Sequence, residues 1–189
     1  MLGVAMDLEV RRTSELDDRA WAELRELDVR ANGTAEQRAA APTSRLRWAG
    51  RDDTHWAVRV RVDGVLVSSL YVTSRQILVN GVQQHAGGIR GVMTDVAFRR
   101  RGYARACMLR AASIMFEDEQ ADMGLLLSSP MAVPLYLSLG WQIFDGPVWC
   151  AQPDAGRANT AEVLGGPAMV LLPHGGEASG TIDMCGLPW

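Results

Sequence analysis

The sequence predicts an α/β protein, with antiparallel strands and helices in a single domain over residues 1–189. From Trp56 to Val62 apolar and polar residues alternate as in a half-buried strand, and the hairpin dipeptides Asp63-Gly64 and Asn80-Gly81 then lead into two further strands. A helical pattern from Arg105 to Phe116 follows. With 48% hydrophobic and 22% charged residues, the chain has an ordinary globular composition.

The N-terminal region begins with one strand and one helix. Leu8–Arg11 alternates like a strand, and apolar residues recur at roughly helical spacing from Trp21 to Val29, after capping residues such as Asp17. Residues 31–53 show no clear periodicity beyond a short helix at 35–41. The acidic residues of the first helix are interpreted as a solvated face: Asp18, Glu23, Glu26 and Asp28.

Three long strands form the middle of the chain. They are predicted at Trp56–Val62, Val65–Leu78 and Val82–Val96. Glycine inside a strand indicates a bulge or a close approach of another group to the backbone. The third strand carries such glycines at Gly87, Gly88 and Gly91.

A basic loop joins this third strand to the next helix. Gly102 precedes the helical pattern, so the first unpaired backbone N–H groups of that helix face the loop. Gly102 has no Cβ to hold an anion away from the backbone, and Arg99–Arg101 add positive charge. The loop therefore predicts an anion site, but it is neither a Walker A motif nor a G-x-G-x-x-G turn.

Shorter elements follow the helix. Met123–Ser129 has the length of a buried strand, and Pro134–Trp141 reads as a short helix that carries Tyr136. Pro153–Gly166 and Pro173–Gly180 are predicted loops. The remaining extended runs are Trp141–Phe144, Val148–Cys150 and Ala168–Leu172.

Together, these motifs resemble the GCN5-related N-acetyltransferases (GNAT). Arg99, Gly102 and Ala104 match the Arg/Gln-x-x-Gly-x-Gly/Ala pattern of that family, and Tyr136 to Trp141 resembles its Tyr-x-x-x-Gly-Phe/Trp segment. The resemblance implies a twisted, mostly antiparallel mixed sheet of about six or seven strands with flanking helices, in which a splayed strand pair holds acetyl-CoA. The residues it implies for this co-substrate are Val92, Met93, Thr94, Arg99, Arg100, Arg101, Gly102, Tyr103 and Ala104.

Within that family, the chain looks like the aminoglycoside 2′-N-acetyltransferases. The likeness lies in Arg75–Gly81, the glycine-broken strand into Val92, the Tyr136 segment and the ending Met184–Trp189, over roughly the C-terminal two-thirds of the chain. It implies direct acetyl transfer from coenzyme A to a primary amine of an antibiotic, and hence resistance. Tyr136 is then the candidate general acid for the departing thiolate, and backbone N–H groups near Met93 are the candidate oxyanion donors.

The general base is less clear from the sequence. The resembling enzymes carry a glutamate two residues before the position of Val92, where this chain has Arg90, and arginine cannot act as a base at physiological pH. His85 and Asp95 are local substitutes. Because the resembling enzymes bring their C-terminus to the sugar site, Asp183 and the free carboxylate of Trp189 also stay open as bases. Both residues join Arg90 as expected acceptor contacts.

The expected acceptor region is richer in arginine than in acid. Guanidinium groups bind carboxylates well, so this pattern favours an aminoglycoside with its own acidic group, such as kasugamycin, over a polycation. Alternatively, these arginines face solvent and bind no substrate. The alternatives for the function are acetylation of another small amine or of a protein amine, or a catalytically weak module that binds acetyl-CoA. The arginines are Arg38, Arg45, Arg47, Arg51 and Arg90, against Glu36, Asp52 and Asp53.

Other classes find little support in the composition. The net charge is −3 and the only basic run is the loop at Arg99, so nucleic acid is not an expected partner. No apolar run reaches the ~20 residues of a membrane span, and a cytoplasmic protein is expected. Cys107, Cys150 and Cys185 show no metal-ligand spacing, so neither a metal nor a disulfide is expected. Homodimer formation stays open.

Overall fold

The computed structural model describes residues 6–33, 54–152, 160–162 and 166–189, with only the backbone for 160–162. The helices in this part of the chain are α1 (Asp18–Asn32), α2 (Tyr103–Ser113), which continues as a π-helical turn (Ile114–Asp118), and α3 (Val133–Leu137). The strands are β1 (Met6–Arg12), β2 (Trp56–Val62), β3 (Val65–Val79), β4 (Val82–Thr94), β5 (Met123–Leu127), β6 (Gln142–Ile143), β7 (Val148–Ala151), β8 (Thr160–Glu162), β9 (Ala168–Leu171) and β10 (Ile182–Asp183).

Two tight hairpins build the centre of the sheet. Asp63 and Gly64 join β2 to β3 with φ angles of 47° and 80°, and Asn80 and Gly81 join β3 to β4 with 52° and 78°. Left-handed conformations at both central residues suit the twist of an antiparallel pair, and Asn-Gly and Asp-Gly adopt them at low cost. Both predicted hairpins are therefore confirmed.

The strands form one mixed sheet, ordered β6-β9-β5-β4-β3-β10-β7-β8, with β2 and then β1 branching from β3. Most neighbours are antiparallel, whereas β4 pairs with β5 and β10 with β7 in parallel. The predicted fold class is confirmed. The sheet has ten strands in the described residues, more than the six or seven expected; β8 and β10, which lie outside the predicted strands, are too short to show a period in the sequence. β8 lies within the segment predicted as a loop.

The glycines of β4 mark one bulge and two close contacts. Between the pairs Ser69–Met93 and Tyr71–Arg90 the register shifts, so that the two β4 residues Gly91 and Val92 face one residue of β3. Gly91 has a φ of 59°, which a side chain would strain. A Cβ on Gly87 or Gly88 would instead collide with the side chain of Met115 or Trp189. The prediction of bulge or close approach thus holds at all three glycines.

Helices cover the two faces of the sheet. On one face α2 buries Cys107, Met108 and Ala111 against β2, β3 and β4. On the other face α1 packs Leu24 and Leu27 near the carboxyl end of β4. The C-terminal segment covers the remainder of that second face through Trp189. None of the helices described is long and apolar enough to cross a membrane.

Candidate active site

Strands β4 and β5 separate at one end of the sheet. Their parallel ladder ends with the pair Ile89 and Leu126, whereas β4 continues to Thr94. A cavity of about 580 Å³, here called the loop cavity, lies at this end, within the size range of ligand pockets. Its walls include Val92, Met93, Thr94, Arg99, Arg100, Gly102, Tyr103, Ala104, Arg105 and Tyr136.

A second cavity of about 430 Å³ lies between α1 and the bulge of β4, and is here called the α1 cavity. Asn32, Val92 and Met93 line both cavities, so the two meet where β4 departs from β5. These three residues form a wall that the two cavities share. The α1 cavity is lined by Trp21, Leu24, Arg25, Asp28, Asn32, Tyr71, Gly91, Val92 and Met93.

The N-terminus of α2 gives the loop cavity its positive character. Gly102 is the N-cap with a φ of 86°, and no side chain caps the helix. A Cβ on Gly102 would meet nothing within 4 Å, so the space above the first turn is open. The first turn has no acidic residue, and Arg100 and Arg105 stand beside it. Unpaired N–H groups, the helix dipole and these guanidinium groups suit the pyrophosphate of coenzyme A.

Tyr136 lies at the inner wall of the loop cavity. Helix α3 carries it, and its ring packs against Trp141 with centroids 6.3 Å apart. The residue is only 5% exposed, and burial raises the pKa of its phenol to about 12. Among the described residues the hydroxyl has no hydrogen-bond partner. A protonated phenol is therefore available to a ligand.

The arginines of the loop do not share one role. The guanidinium group of Arg99 donates to the carbonyl of Ala31 over 2.6 Å and to the carbonyl of Thr94 over 3.2 Å, and so ties the end of α1 to the loop. Arg101 lies over the ring of Phe98 at 5.3 Å and outside the cavity wall. Every other residue expected to hold acetyl-CoA lines the loop cavity.

His85 and Asp95, the local candidates for the base, line neither cavity. His85 pairs with Gln76 near the start of β4, whereas both cavities lie at the end of this 13-residue strand. Asp95 is buried, its Oδ2 lies 2.7 Å from Nε of Arg30, and its Oδ1 accepts from Ala97 N. These contacts give Asp95 a structural role.

The three expected acceptor contacts are also dispersed. Arg90 pairs with Tyr71, next to the α1 cavity. Asp183 belongs to β10 at the far end of β3, and its Oδ1 accepts from Cys185 N at 2.8 Å. The Trp189 indole N–H donates to the Leu125 carbonyl over 3.2 Å. Asp183 and Trp189 line neither cavity, because β10 and the segment after it pack along the opposite half of the second face.

Asp28 is the wall residue that the sequence interpretation missed. It was assigned to a solvated helix face, yet it is half-buried and lines the α1 cavity. Trp21, Asp28 and Asn32 are spaced by seven and four residues, which places them on one face of α1. This spacing was visible in the sequence. Arg38, Arg45, Arg47, Arg51, Glu36, Asp52 and Asp53, together with the short helix expected at 35–41, lie outside the described residues.

A splayed sheet with a basic loop at its opening defines a class of acyl-transfer enzymes. Residues 9–144 match the family model described as an acetyltransferase (GNAT) domain, and the chain belongs to this family. No group of residues in the described ranges could hold a metal ion.

Solved structures share the fold at low sequence identity. ElaA from Escherichia coli is 13% identical with a TM-score of 0.59, and the match covers 88% of this chain and 99% of that one. An acyl-CoA N-acyltransferase from Pseudomonas aeruginosa is 16% identical with a TM-score of 0.57 and the same coverage. A GNAT acetyltransferase from Brucella melitensis, in complex with acetyl-CoA, is 12% identical with a TM-score of 0.54, covering 93% and 94%.

Other matched structures are much longer than this chain. It covers 34% of a GCN5-related N-acetyltransferase from Kribbella flavida and 33% of a probable N-acyltransferase from Enterococcus faecalis. Both are 17% identical, so this likeness concerns the fold alone.

Proposed function

We propose that the enzyme acetylates a primary amine of a small molecule that enters through the α1 cavity while acetyl-CoA occupies the loop cavity. The observation that carries this proposal is the shared wall of Asn32, Val92 and Met93. An amine in one cavity and a thioester in the other would meet there, and holding two reactants together removes much of the entropic barrier to reaction.

In this proposal the loop residues bind the co-substrate. Backbone N–H groups after Gly102, with Arg100 and Arg105, face the pyrophosphate. The pantetheine arm lies along the edge of β4 that β5 leaves open beyond Ile89. Backbone donors of this edge near Met93 stabilise the oxyanion that develops on the acetyl carbonyl.

Tyr136 is the proposed general acid. Its phenol stays protonated at neutral pH, since burial raises its pKa to about 12. When the C–S bond breaks, the phenol donates its proton to the departing sulfur, and solvent restores it. Acetyl-CoA supplies the acetyl group, and no covalent intermediate on the enzyme is required.

For the acceptor we propose an aminoglycoside that carries an acidic group, with kasugamycin as the model and acetylation at a 2′ amine as the resistance reaction. The α1 cavity supports an acceptor with charges of both signs, because Asp28 and Arg25 share its wall and Arg90 lies beside it. The rings of Trp21 and Tyr71 are stacked with centroids 6.1 Å apart, and they offer apolar surface to a sugar or other ring.

A thiol-release assay with acetyl-CoA tests this proposal. The panel contains kasugamycin, a deoxystreptamine aminoglycoside with a 2′ amine, a simple amine and a peptide with a free N-terminus. We expect turnover of kasugamycin, and mass spectrometry then locates the acetylated nitrogen. If only the polycation or only the peptide is acetylated, that compound and not kasugamycin represents the acceptor class. If no compound in the panel is acetylated while calorimetry still detects acetyl-CoA binding, the result would favour a catalytically weak module that only binds acetyl-CoA.

A further inference from the structure

We propose that Asp28 binds the acceptor amine and accepts the proton that the amine nitrogen loses. Asp28 of α1 would thus take the place of the glutamate that resembling enzymes carry on β4, where this chain has Arg90. This inference rests on the proposed function and concerns the same cavity. The residues of β4 alone do not indicate this role for Asp28, because Asp28 belongs to α1.

The position of Asp28 is the first support. Its side chain lines the α1 cavity, and its Oδ1 accepts a hydrogen bond from Nδ2 of Asn32 at 2.9 Å. Asn32 lines both cavities. The carboxylate is therefore oriented by a residue of the junction, one hydrogen bond from the place where the two substrates meet.

The electrostatic surroundings are the second support. Burial raises the pKa of Tyr71 to about 12; the charge of Arg90 lowers it, that of Asp28 raises it, and that of Arg59 lowers it. Asp28 and Tyr71 are thus close enough to interact. Arg25 of the same helix and Tyr71 of β3 share the cavity wall with Asp28, and Arg90 of β4 and Arg59 of β2 carry the other charges that act on Tyr71. The charge of Asp28 therefore reaches the wall of the α1 cavity at which the acceptor amine is proposed to bind.

The aromatic rings are the third support. Trp21 and Tyr71 stack with an interplanar angle of 22° and form the wall beside Asp28. A carboxylate next to aromatic faces attracts a cationic amine through both charge and the ring quadrupoles. His85, Asp95, Asp183 and the C-terminal residue Trp189, the other candidate bases, line neither cavity.

The transfer step then balances. The amine nitrogen attacks the thioester carbonyl carbon, an N–C bond forms and the C–S bond breaks. An amine that arrives as an ammonium gives up one proton before the attack and a second as the amide forms, and both go to the Asp28 carboxylate and from there to solvent. The sulfur takes its proton from Tyr136, which solvent reprotonates. The products are an N-acetylated amine and free coenzyme A.

The test uses Asp28→Asn, which keeps an oxygen for the Asn32 hydrogen bond but removes the charge. We expect kcat/KM at pH 7 to fall about 100-fold and to recover as the pH approaches the pKa of the amine, because an amine that is already neutral needs no base. Asp28→Glu should restore part of the activity. Glu26→Gln, an exposed change on the same helix, should match the wild type.

A binding measurement keeps the inference testable without turnover. In calorimetry with coenzyme A present, Asp28→Asn should bind kasugamycin or the deoxystreptamine about 10-fold more weakly, the order of one charged contact, with acetyl-CoA affinity unchanged. Equal amine affinity, or a raised KM with an unaltered pH profile, would overturn the role of Asp28. Wild-type enzyme that binds these amines but acetylates none would instead contradict the proposed function.

Discussion

At the scale of single residues, the hydroxyl of Tyr136 is the most informative atom. Its ring packs on Trp141, but the hydroxyl makes no hydrogen bond within the described residues. Replacing Tyr136 by Phe should therefore leave the free energy of unfolding within about 0.5 kcal/mol of the wild type. If Tyr136 is the proposed general acid, the turnover number should fall about 100-fold, since the thiolate would leave without its proton donor.

Steady-state kinetics and thermal unfolding check this prediction together. The KM for acetyl-CoA should change little, because in the proposed mechanism the hydroxyl acts on the departing sulfur and not on the bound co-substrate. An unchanged kcat would remove Tyr136 from the chemistry. A large loss of stability would mean that the hydroxyl has a structural partner.

Gly91 allows a second prediction at this scale. An alanine there would have to adopt a φ of 59°, with its Cβ 3.1 Å and 3.3 Å from two ring carbons of Tyr71. We expect Gly91→Ala to lower the free energy of unfolding by about 2 kcal/mol, measured by urea denaturation. Gly81→Ala is the matched control, because Gly81 has a φ of 78° but nothing within 4 Å of a Cβ. Equal losses in both variants would show that the contact with Tyr71 adds nothing.

At the scale of elements, two reciprocal contacts fasten α1 to the loop after β4. Arg30 of α1 reaches Asp95 of the loop at 2.7 Å, and Arg99 of the loop reaches the carbonyl of Ala31 at 2.6 Å. The clamp positions Asn32, which follows directly and lines both cavities. A change in the clamp should thus affect both substrates.

Asp95→Asn tests the clamp. It retains an oxygen that can accept from Ala97 N but removes the charge opposite Arg30, so we expect a loss of about 1–2 kcal/mol in the free energy of unfolding. The KM for the amine should rise as well. Asp118→Asn is the control, because its pair with Arg110 is 3.9 Å long and well exposed, and it should cost less than about 0.5 kcal/mol. Similar losses in both variants would count against the clamp.

The same scale shows which elements a sequence reveals. Asp63-Gly64 and Asn80-Gly81 were predictable as turns because only a few residue types tolerate a positive φ. β10 was not, because a two-residue strand has no period and depends on distant partners in β3 and β7.

For the site, the loop around Gly102 was predictable because its chemistry is local in the chain. His85 was proposed because it lies close in sequence to the residues of the site. A strand is fully extended, so a separation of a few residues along β4 already places His85 far from the cavities at the end of the strand. Asp28 was missed because it is far in sequence from the β4 residues with which it lines the α1 cavity. The charge pattern of α1 was interpreted without its helical spacing.

At the scale of the whole molecule, Glu119 links the layers. Its carboxylate accepts from the indole of Trp56 and the hydroxyl of Ser74, each at 2.7 Å, and pairs with Arg12 at 3.2 Å. Burial alone would raise the pKa of Glu119, but these hydrogen bonds and the charges of His55 and Arg12 hold it below the ordinary glutamate value. The group thus joins β1, β2 and β3 to the turn after α2.

A depressed carboxylate pKa sets the sign of a pH dependence. The folded state binds this proton less tightly than the unfolded chain, so the stabilisation from Glu119 is present above the ordinary glutamate pKa and is lost as the pH falls through the lower folded value. We expect the free energy of unfolding to fall with acidification, and Glu119→Gln to make the profile flatter. Glu117→Gln, an exposed neighbour, should retain the wild-type slope. Parallel profiles for all three proteins would contradict this assignment.

The gap between β4 and β5 also affects the tendency of the protein to aggregate. An open strand edge is a template on which a foreign strand can dock, and natural sheets usually cover such edges. Acetyl-CoA bound in this gap, as proposed above, would close the edge, and at one hundred times its dissociation constant a ligand adds about 2.7 kcal/mol to stability. The co-substrate would then also act as a folding partner. We therefore expect the protein to aggregate sooner on heating in buffer without acetyl-CoA than in buffer that contains it, which turbidity measurements would check.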